Sequence, residues 1–422
     1  MLIQLHHSRR ASATNLPTAV VLGLYTHIFK LLEVYMSMEL AFVLINPYTI
    51  AKSRTGGVIG RFLSRTGLEL VAARMYAPSA QLAQEYADLI RSDVSGLELT
   101  TRTLLADYVA KSYSPDPITG RPRRVMLILL EGENAIRRVR ETAGNVAITG
   151  GETIRDTFGD YVVDAHGAVQ YFEPAVLIGN NAEETAQALT IWGRHAESDG
   201  GIVQNSADSD SSAVGWQRTL VLIKPDNFRF PNARPGNIID LLSRSGLRII
   251  AANVHRMSVV QAEQFYQPVQ QALREKMKKQ ISSRVLGLLE KELSIAIPEP
   301  TVKLLEEQLG PLLGDEQFYQ LIKFMTGRYP PACRPEEREQ DGLSKCLALI
   351  YSGLNAVEKI RALLGSTDPD KAPTGSVRRE FGRDVMVNAA HASDSTENAE
   401  REIGILNVGA NQVTDWIKKY YK

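Results

Sequence analysis

The sequence contains little cysteine and no excess of charge of either sign. Its two cysteines, Cys333 and Cys346, flank one polar segment; this disfavours a disulfide framework, and without a nearby histidine they make a poor zinc site. Lysine plus arginine total 48, and so do aspartate plus glutamate. No overall field therefore favours nucleic acid or a membrane as a partner, although a local basic site stays open. We expect two unpaired thiols, which suits a reducing cytoplasm.

A clean long hydrophobic run and a P-loop are also missing. The apolar stretch over 19–45 is interrupted by Lys30 and Glu33, so it is broken as a membrane span, and no signal-type cleavage site follows it. Residues 1–37 form either an upstream extension or a short helix, and we expect poor order there. No Gly-x-x-x-x-Gly-Lys-[Ser/Thr] motif occurs, which disfavours a P-loop kinase.

The 422-residue chain contains two copies of one long pattern. The segments that begin at Phe42 and Leu220 both read as strand, loop, helix, the sequence LSR[TS]GL, strand and helix, and residues 127–144 match 348–365. Repeats of this length indicate two copies of a domain rather than solenoid units. The polar stretch QNSADSDSSAV lies between them.

We therefore predict domains at 38–200 and 216–422, joined by a linker at 201–215. Within each copy, strands alternate with helices. For example, TLVLIKP reads as a buried strand, and NAVEKIRALLG as a helix with Asn355 as its cap and Gly365 as its stop. This alternation predicts an α+β fold in which an antiparallel sheet of the split βαβ kind is covered by helices.

The stretch NAAHASDS places a histidine, His391, among small residues. Small neighbours leave an imidazole open to a ligand, and the neutral ring that dominates near pH 7 is a nucleophile. A lone histidine is more often a satisfied core residue, so its surroundings decide the matter. STENAEREIGIL follows and predicts a helix capped by Ser395 or Thr396.

The surroundings resemble a known family. NAAHASDS fits the motif Asn-x-x-His-[Gly/Ala]-Ser-Asp-Ser of the nucleoside diphosphate kinases, and LIKPD, SGLNAVEKIR, GSTDP, GSVRREF and NAEREI occur in the family's order over most of 218–406. The resemblance implies two tandem ferredoxin-like (βαββαβ) domains, each with an antiparallel four-stranded sheet covered by helices, and the first of them degenerate. It also implies Mg²⁺-dependent, ping-pong transfer of the terminal phosphate of ATP, or another nucleoside triphosphate, to a nucleoside diphosphate through a phosphohistidine.

The resemblance assigns four catalytic positions in the second copy. His391 would be the nucleophile, Glu402 would orient it, Ser393 would add a hydroxyl contact and Tyr266 would lie beside the histidine. A nucleophile positioned by a second group and a third is the general logic of such sites. The resemblance implies no metal ligand from the protein.

The resemblance also assigns the nucleotide contacts. Lys224, Arg361, Thr367 and Arg378 match phosphate contacts, and Asn388 would bind the sugar hydroxyl together with Lys224. Phosphoryl transfer needs mainly positioning and charge neutralisation, which a lysine and two arginines supply.

One position departs from the family. Its members stack the nucleotide base on a phenylalanine, and the simplest alignment places Gln317 there. The neighbouring Phe318 would stack on the base after a small shift; otherwise it packs in the core.

The chain also differs from the family by two insertions in the second copy and by the absence of the site residues in the first copy. Residues 267–314 read as extra amphipathic helices that form a lid or an interface, and 328–344 as a surface loop. The first copy has Asn46 in place of Lys224 and no histidine motif, while His166 falls in an apparent turn. We expect no catalysis there, although a phosphate-binding remnant stays open.

Two functions follow from this pattern. The first is a working nucleoside diphosphate kinase with one active site per chain, in which the inactive copy completes an intrachain pseudo-dimer; further homo-oligomers stay open. The alternative is a tandem-domain scaffold or interaction protein with weak or no kinase activity. The complete set of site residues in the second copy favours the enzyme.

Overall fold

The computed structural model describes residues 38–147, 150–204 and 213–421. The predicted N-terminal extension (1–37) and most of the predicted linker lie outside this range. The predicted domain boundaries therefore stay predictions. Among the described residues no helix is long and apolar enough to cross a bilayer.

The first half of the chain alternates strands and helices as predicted. In chain order the elements are β1 (Met38–Ile45), α1 (Pro47–Ala51), α2 (Thr55–Thr66), β2 (Glu69–Tyr76), α3 (Ala80–Arg91), α4 (Leu99–Ser112), β3 (Val125–Glu133), α5 (Ala135–Ala143), α6 (Ile154–Phe158), β4 (Asp160–Val163), β5 (Val169–Glu173), β6 (Val176–Ile178) and α7 (Ala182–Arg194).

The second half repeats the order without the β4–β5 hairpin. Its elements are β7 (Trp216–Ile223), α8 (Arg234–Ser243), β8 (Arg248–His255), α9 (Val259–Leu293), α10 (Glu299–Thr326), β9 (Cys346–Leu354), α11 (Ala356–Leu364), α12 (Val377–Phe381), β10 (Ala390–Ala392), α13 (Thr396–Leu406) and α14 (Val413–Tyr420).

Each half builds an antiparallel four-stranded sheet with the same strand order. The order is β2-β3-β1-β6 in the first half and β8-β9-β7-β10 in the second. In both sheets the first and third long strands lie at the centre, which is the arrangement of a βαββαβ unit. The predicted fold class is confirmed.

Strand β1 contributes side chains to two hydrophobic cores. Successive side chains of a strand point to opposite faces. Val43 and Ile45 belong to a core that also contains Val221 and Ile223 of β7, whereas Leu44 faces a core of the first half. The two sheets therefore share one apolar layer between the halves.

Helices α2 and α8 cross within this shared layer at a patch of glycines. A Cβ added to Gly236 would overlap the Gly56 carbonyl oxygen and the Gly60 backbone. Glycine is therefore required at this crossing because the backbones themselves are in contact.

Two basic side chains join the halves in a reciprocal way. Arg124 Nη1, just before β3, donates to the Ile249 carbonyl at 3.0 Å, and Lys345 Nζ, just before β9, donates to the Leu70 carbonyl at 2.9 Å. Each contact runs from one half to the edge strand of the other. Such exchanged contacts are the mark of an isologous, two-fold interface.

The last helix, α14, packs on the first half of the chain. Val413 and Ile417 join the first half's own core, and Tyr421 Oη donates to the Leu40 carbonyl at 2.6 Å. Lys419 adds an ion pair with Glu131 at 2.7 Å. The C-terminal segment therefore fastens the two halves together.

The insertion in the second half forms two long helices that pack along each other. Tyr266 lies near the start of α9 and Phe318 near the end of α10, so the inserted residues extend two helices of the domain and do not form separate ones. A capping box joins Ser258 and Gln261 at the start of α9. The second insertion forms short 3₁₀ turns at 330–332 and 335–337.

Candidate active site

A cavity of about 730 Å³ lies in the second half, and a smaller one of about 470 Å³ lies between the second half and Glu69 of the first. The predicted site residues line the larger cavity. Eight of them meet there: Lys224, Tyr266, Arg361, Thr367, Arg378, Asn388, His391 and Glu402. Ser393 is fully buried behind the wall, and Phe318 belongs to the core.

His391 projects from the short strand β10, where it pairs with Leu222 of the central strand. This strand covers only 390–392, because Ala389 just before it adopts a left-handed conformation with φ of 69°. Ala390 and Ala392 are buried on either side, which leaves the ring of His391 as the group exposed to the cavity.

Glu402 holds one edge of the imidazole. Its Oε2 lies 2.9 Å from His391 Nε2 and accepts a hydrogen bond from Ser393 Oγ at 2.7 Å. Glu402 is 4% exposed and stands on α13, whose start is capped by Ser395. Because an ionised carboxylate can only accept, the neutral ring carries its proton on Nε2 and keeps the lone pair of Nδ1 free.

Arg401 and Asp394 belong to this end of the cavity, and the sequence analysis did not assign them. Arg401 Nη2 lies 3.5 Å from Glu402 Oε1, and Asp394 Oδ1 accepts from Asn398 at 2.6 Å. Both lie inside the motifs that identified their neighbours, so the motif was the available signal.

Two arginines supply positive charge to the cavity. Arg378 is fixed by donation to the Gly365 carbonyl at 3.0 Å and to the Ala390 carbonyl at 3.2 Å. Burial and the nearby charge of Arg361 lower the pKa of Arg378 to about 10, so it stays charged near neutrality. Arg361 and Thr367 are exposed at the cavity.

Lys224 is the third cation, and its amine is held inside the wall. Its Nζ donates to Asn388 Oδ1 at 2.6 Å and to the Met386 carbonyl at 3.2 Å. Burial first, and then the charge of Arg378, lower the pKa of Lys224 to about 7. A bound anion would restore the charged form.

Two aromatic rings pack against the ring of His391. Phe265 and Tyr266 meet the His391 ring edge-on, with centroid separations of 5.1 Å and 6.1 Å. The Tyr266 hydroxyl is buried and makes no hydrogen bond with any described residue, and burial raises its pKa. It is therefore a free donor beside the ring.

The structure corrects the expectation for Phe318. Its side chain is 3% exposed and packs against the sheet, so it does not line the cavity, whereas Gln317 does. One residue along a helix turns the side chain by about 100°. Near Gln317 the apolar part of the cavity wall consists of Val269, Leu273 and Leu321 of the long helices, together with Val385. The sequence did not predict a role for these four apolar residues.

In the first half, Leu177 stands at the position of His391. Leu177 pairs with Leu44 of β1 as His391 pairs with Leu222 of β7, and it is 2% exposed. The same register places Ala188 at the position of Glu402. His166 is exposed in a turn between β4 and β5.

A buried polar network occupies the lysine position of the first half. Asn46 donates to Glu173 at 3.3 Å and accepts from Tyr113 at 2.6 Å, and Tyr108 donates to Glu173 at 2.5 Å. Burial raises the pKa of Glu173 to about 7. The network satisfies Asn46 without any ligand.

The chain is similar to nucleoside diphosphate kinases over its second half. The family model described as nucleoside diphosphate kinase matches residues 217–298 and 336–408. A nucleoside diphosphate kinase of Campylobacter hominis is 30% identical over 193 residues, which are 46% of this chain and 96% of that protein. One of Staphylothermus marinus is 28% identical over 203 residues, or 48% and 100%.

A solved structure of an NDP kinase from Pyrobaculum aerophilum matches 46% of this chain and 100% of its own, with 26% identity and a TM-score of 0.32. The identity to the Campylobacter protein over nearly its whole length decides the assignment: this chain belongs to the nucleoside diphosphate kinase family.

Proposed function

We propose that the second half is a nucleoside diphosphate kinase with His391 as its nucleophile. The observation that carries the proposal is the 2.9 Å contact between His391 Nε2 and Glu402 Oε2 at the wall of the cavity. This contact fixes the tautomer and leaves Nδ1 as the nitrogen that can attack.

The reaction proceeds in two displacements. In the first, Nδ1 of His391 forms a bond to the terminal phosphorus of a nucleoside triphosphate, the bond from that phosphorus to the bridging oxygen breaks, and the nucleoside diphosphate leaves. In the second, the terminal oxygen of another nucleoside diphosphate attacks the phosphohistidine and Nδ1 is released. In both steps Glu402 accepts a hydrogen bond from the Nε2–H group of His391. Its negative charge stabilises the positive charge that the ring acquires.

The two arginines and the lysine stabilise the negative charge on the phosphates. Arg361 and Thr367 are exposed at the cavity, where a nucleotide can reach them, whereas Arg378 is already held by backbone carbonyls and donates to the Thr367 hydroxyl at 3.5 Å. Preorganised donors of this kind supply most of the catalysis in phosphoryl transfer. Asn388 and Lys224 bind the sugar hydroxyl, and the Tyr266 hydroxyl donates beside the phosphate.

The residues fit an Mg²⁺ ion that arrives with the nucleotide. In the described part of the chain no group of three potential ligands forms a metal cage. Mg²⁺ typically keeps several waters and binds through substrate phosphates with one or two carboxylates. Asp394 is an exposed carboxylate at the cavity that would face it, and when bound the ion neutralises phosphate charge.

The first half has a structural role in this proposal. Leu177 and the network around Asn46 remove its chemistry, while the reciprocal contacts of Arg124 and Lys345 support the intrachain pseudo-dimer.

Cys333 and Cys346 are free thiols, which supports a reducing, cytoplasmic setting.

The test is incubation with γ-labelled ATP and Mg²⁺ in the absence of an acceptor. We expect acid-labile label on the native chain, no label on His391→Ala, and release of the label as a nucleoside triphosphate when a nucleoside diphosphate is added. Since the second half is the site, His166→Ala should label as the native chain does.

A folded native chain that takes no label would refute the kinase. That result would favour the scaffold, and it would direct attention to the long helices, where Leu288 and Leu312 are 69% and 65% exposed.

A further inference from the structure

The smaller cavity, of about 470 Å³, lies behind the proposed active site and between the two halves of the chain. Glu69 of β2 reaches it from the first half, and the rest of its wall belongs to the second half. The cations on its wall are Arg229, Arg256, Lys323 and Lys345. Against them stand two carboxylates, Glu69 and Asp226.

Each of the two carboxylates has a cation beside it. Glu69 forms an ion pair with Lys345 at 3.3 Å. The Asp226 side chain is 4% exposed, both of its oxygens are sealed from solvent, and Arg234 lies 3.7 Å from Oδ2. The charge of each acidic group is therefore offset by a neighbouring cation.

The other cations have no such partner. Within the described ranges no carboxylate lies within 4.0 Å of Arg229, Arg256 or Lys323. Arg256 donates one hydrogen bond from Nη1 to the Leu343 carbonyl at 2.9 Å, which fixes its direction and leaves further donors. Three positive charges in one concave site focus a field that favours a polyanion.

The cavity also shares a wall with the proposed active site. Met386 lines both cavities, and its carbonyl accepts from Lys224 Nζ at 3.2 Å. Phe324 lines the smaller cavity, and the Lys224 amine lies 5.9 Å from the centre of its ring. A molecule that moves Met386 or Phe324 therefore changes the surroundings of Lys224.

We propose that this second cavity binds a small phosphate-class polyanion, such as pyrophosphate, and acts as an effector site for the nucleotide cavity. Arginine forks and a lysine are the donors that phosphate groups prefer. The volume is within the usual range for small-ligand sites. The effector action rests on the proposed function, whereas the binding does not.

The binding test is calorimetric titration of pyrophosphate into Arg361→Ala, a background that weakens the competing nucleotide cavity. We expect saturable binding that weakens about tenfold on adding Arg256→Ala, because a hydrogen bond to a charged group is lost. Lys359→Ala, which removes an exposed lysine outside both cavities, should leave the binding unchanged. Binding that survives Arg256→Ala and Lys323→Ala together, in folded protein, overturns the site.

The effector test is steady-state kinetics with pyrophosphate added. We expect the KM for the nucleoside diphosphate to change in the native chain and to change less in Arg256→Ala. Pyrophosphate that binds in calorimetry but shifts KM equally in the two proteins overturns the effector role, since the shift then comes from competition in the nucleotide cavity. Absence of any turnover would refute the kinase proposal and leave the binding result standing.

Discussion

Leu177 and His391 occupy the same position in two sheets of the same strand order. Each pairs with the second-last residue of the equivalent central strand, Leu44 of β1 and Leu222 of β7. The backbone around them is also alike: Ala175 and Ala389, two residues before each, both have positive φ, of 60° and 69°. The first half thus has a similar backbone at this position, with a leucine where the second half has its histidine.

One phosphoryl group per chain is the expected stoichiometry of labelling. Leu177→His in a His391→Ala background should not restore labelling, because Ala188 stands at the position of Glu402 and Asn46 at that of Lys224. The measurement is acid-labile label per chain after incubation with γ-labelled ATP. A second equivalent of label on the native chain would contradict this prediction.

Glu402→Gln should lower kcat about 10- to 100-fold, because a charge-assisted hydrogen bond to the ring becomes a neutral one. KM should change little, since Glu402 contacts the nucleophile and not the nucleotide. The control is Glu397→Gln, an exposed carboxylate of the same helix. Equal effects of the two substitutions on kcat would show that only the helix charge matters.

Nucleotide binding should take up a proton at alkaline pH. The pKa of Lys224 is lowered from 10.5 to about 7, so above that pH its amine is largely neutral in the free protein. A bound nucleotide favours the ammonium form, and uptake should therefore rise towards one proton per chain as pH increases above about 7.

Calorimetry in buffers of different ionisation enthalpy measures this uptake. Lys224→Met should abolish it, whereas Lys359→Met should not, because Lys359 is exposed and outside the cavity. Absence of proton uptake at alkaline pH would mean that Lys224 is already charged in the free protein.

Gln317→Phe should tighten nucleotide binding. An aromatic ring at the cavity wall would stack on the base, which contributes about 1–3 kcal/mol per base and corresponds to roughly a fivefold or larger fall in KM. The control is Gln308→Phe, which places the same ring at an exposed position of the same helix that lines neither cavity. An unchanged KM for Gln317→Phe would place the base elsewhere.

Gly236→Ala should destabilise the folded chain by about 1–3 kcal/mol, because the added Cβ overlaps backbone atoms of α2. The measurement is the midpoint of denaturant unfolding. Gly287→Ala is the matched control: this glycine is also helical, but nothing lies within 4 Å of an added Cβ, so it should be neutral or stabilising. Equal midpoints for the two variants would mean that the helices separate readily.

The sequence predicts most of the site because the catalytic groups are local. His391, Ser393 and Glu402 lie within one strand and the helix that follows it, so one motif contains the residues and their approximate geometry. Their contact distances then follow from a single turn capped by Ser395. Arg361 and Arg378 could be assigned in the same way, from short motifs in the family's order.

The base end of the cavity could not be predicted in the same way. Whether Gln317 or Phe318 faces the cavity depends on how the long helix is rotated about its axis. Because the insertion lengthens this helix, comparison with the family's sequence pattern does not give that rotation. The contacts of Arg124 and Lys345 depend on how two folded halves meet. The packing of Ile417 on the first half depends on where the chain runs after its last strand.

The reciprocal contacts of Arg124 and Lys345 have an evolutionary consequence. In an assembly of identical chains, a substitution at the nucleophile would appear in both partners at once, and no partner could lose its chemistry alone. Here both partners are encoded in one chain, so each can diverge separately while the tether keeps them paired at any expression level. In such a chain one half can carry a packing leucine where the other carries a histidine, and one half can have longer helices than the other.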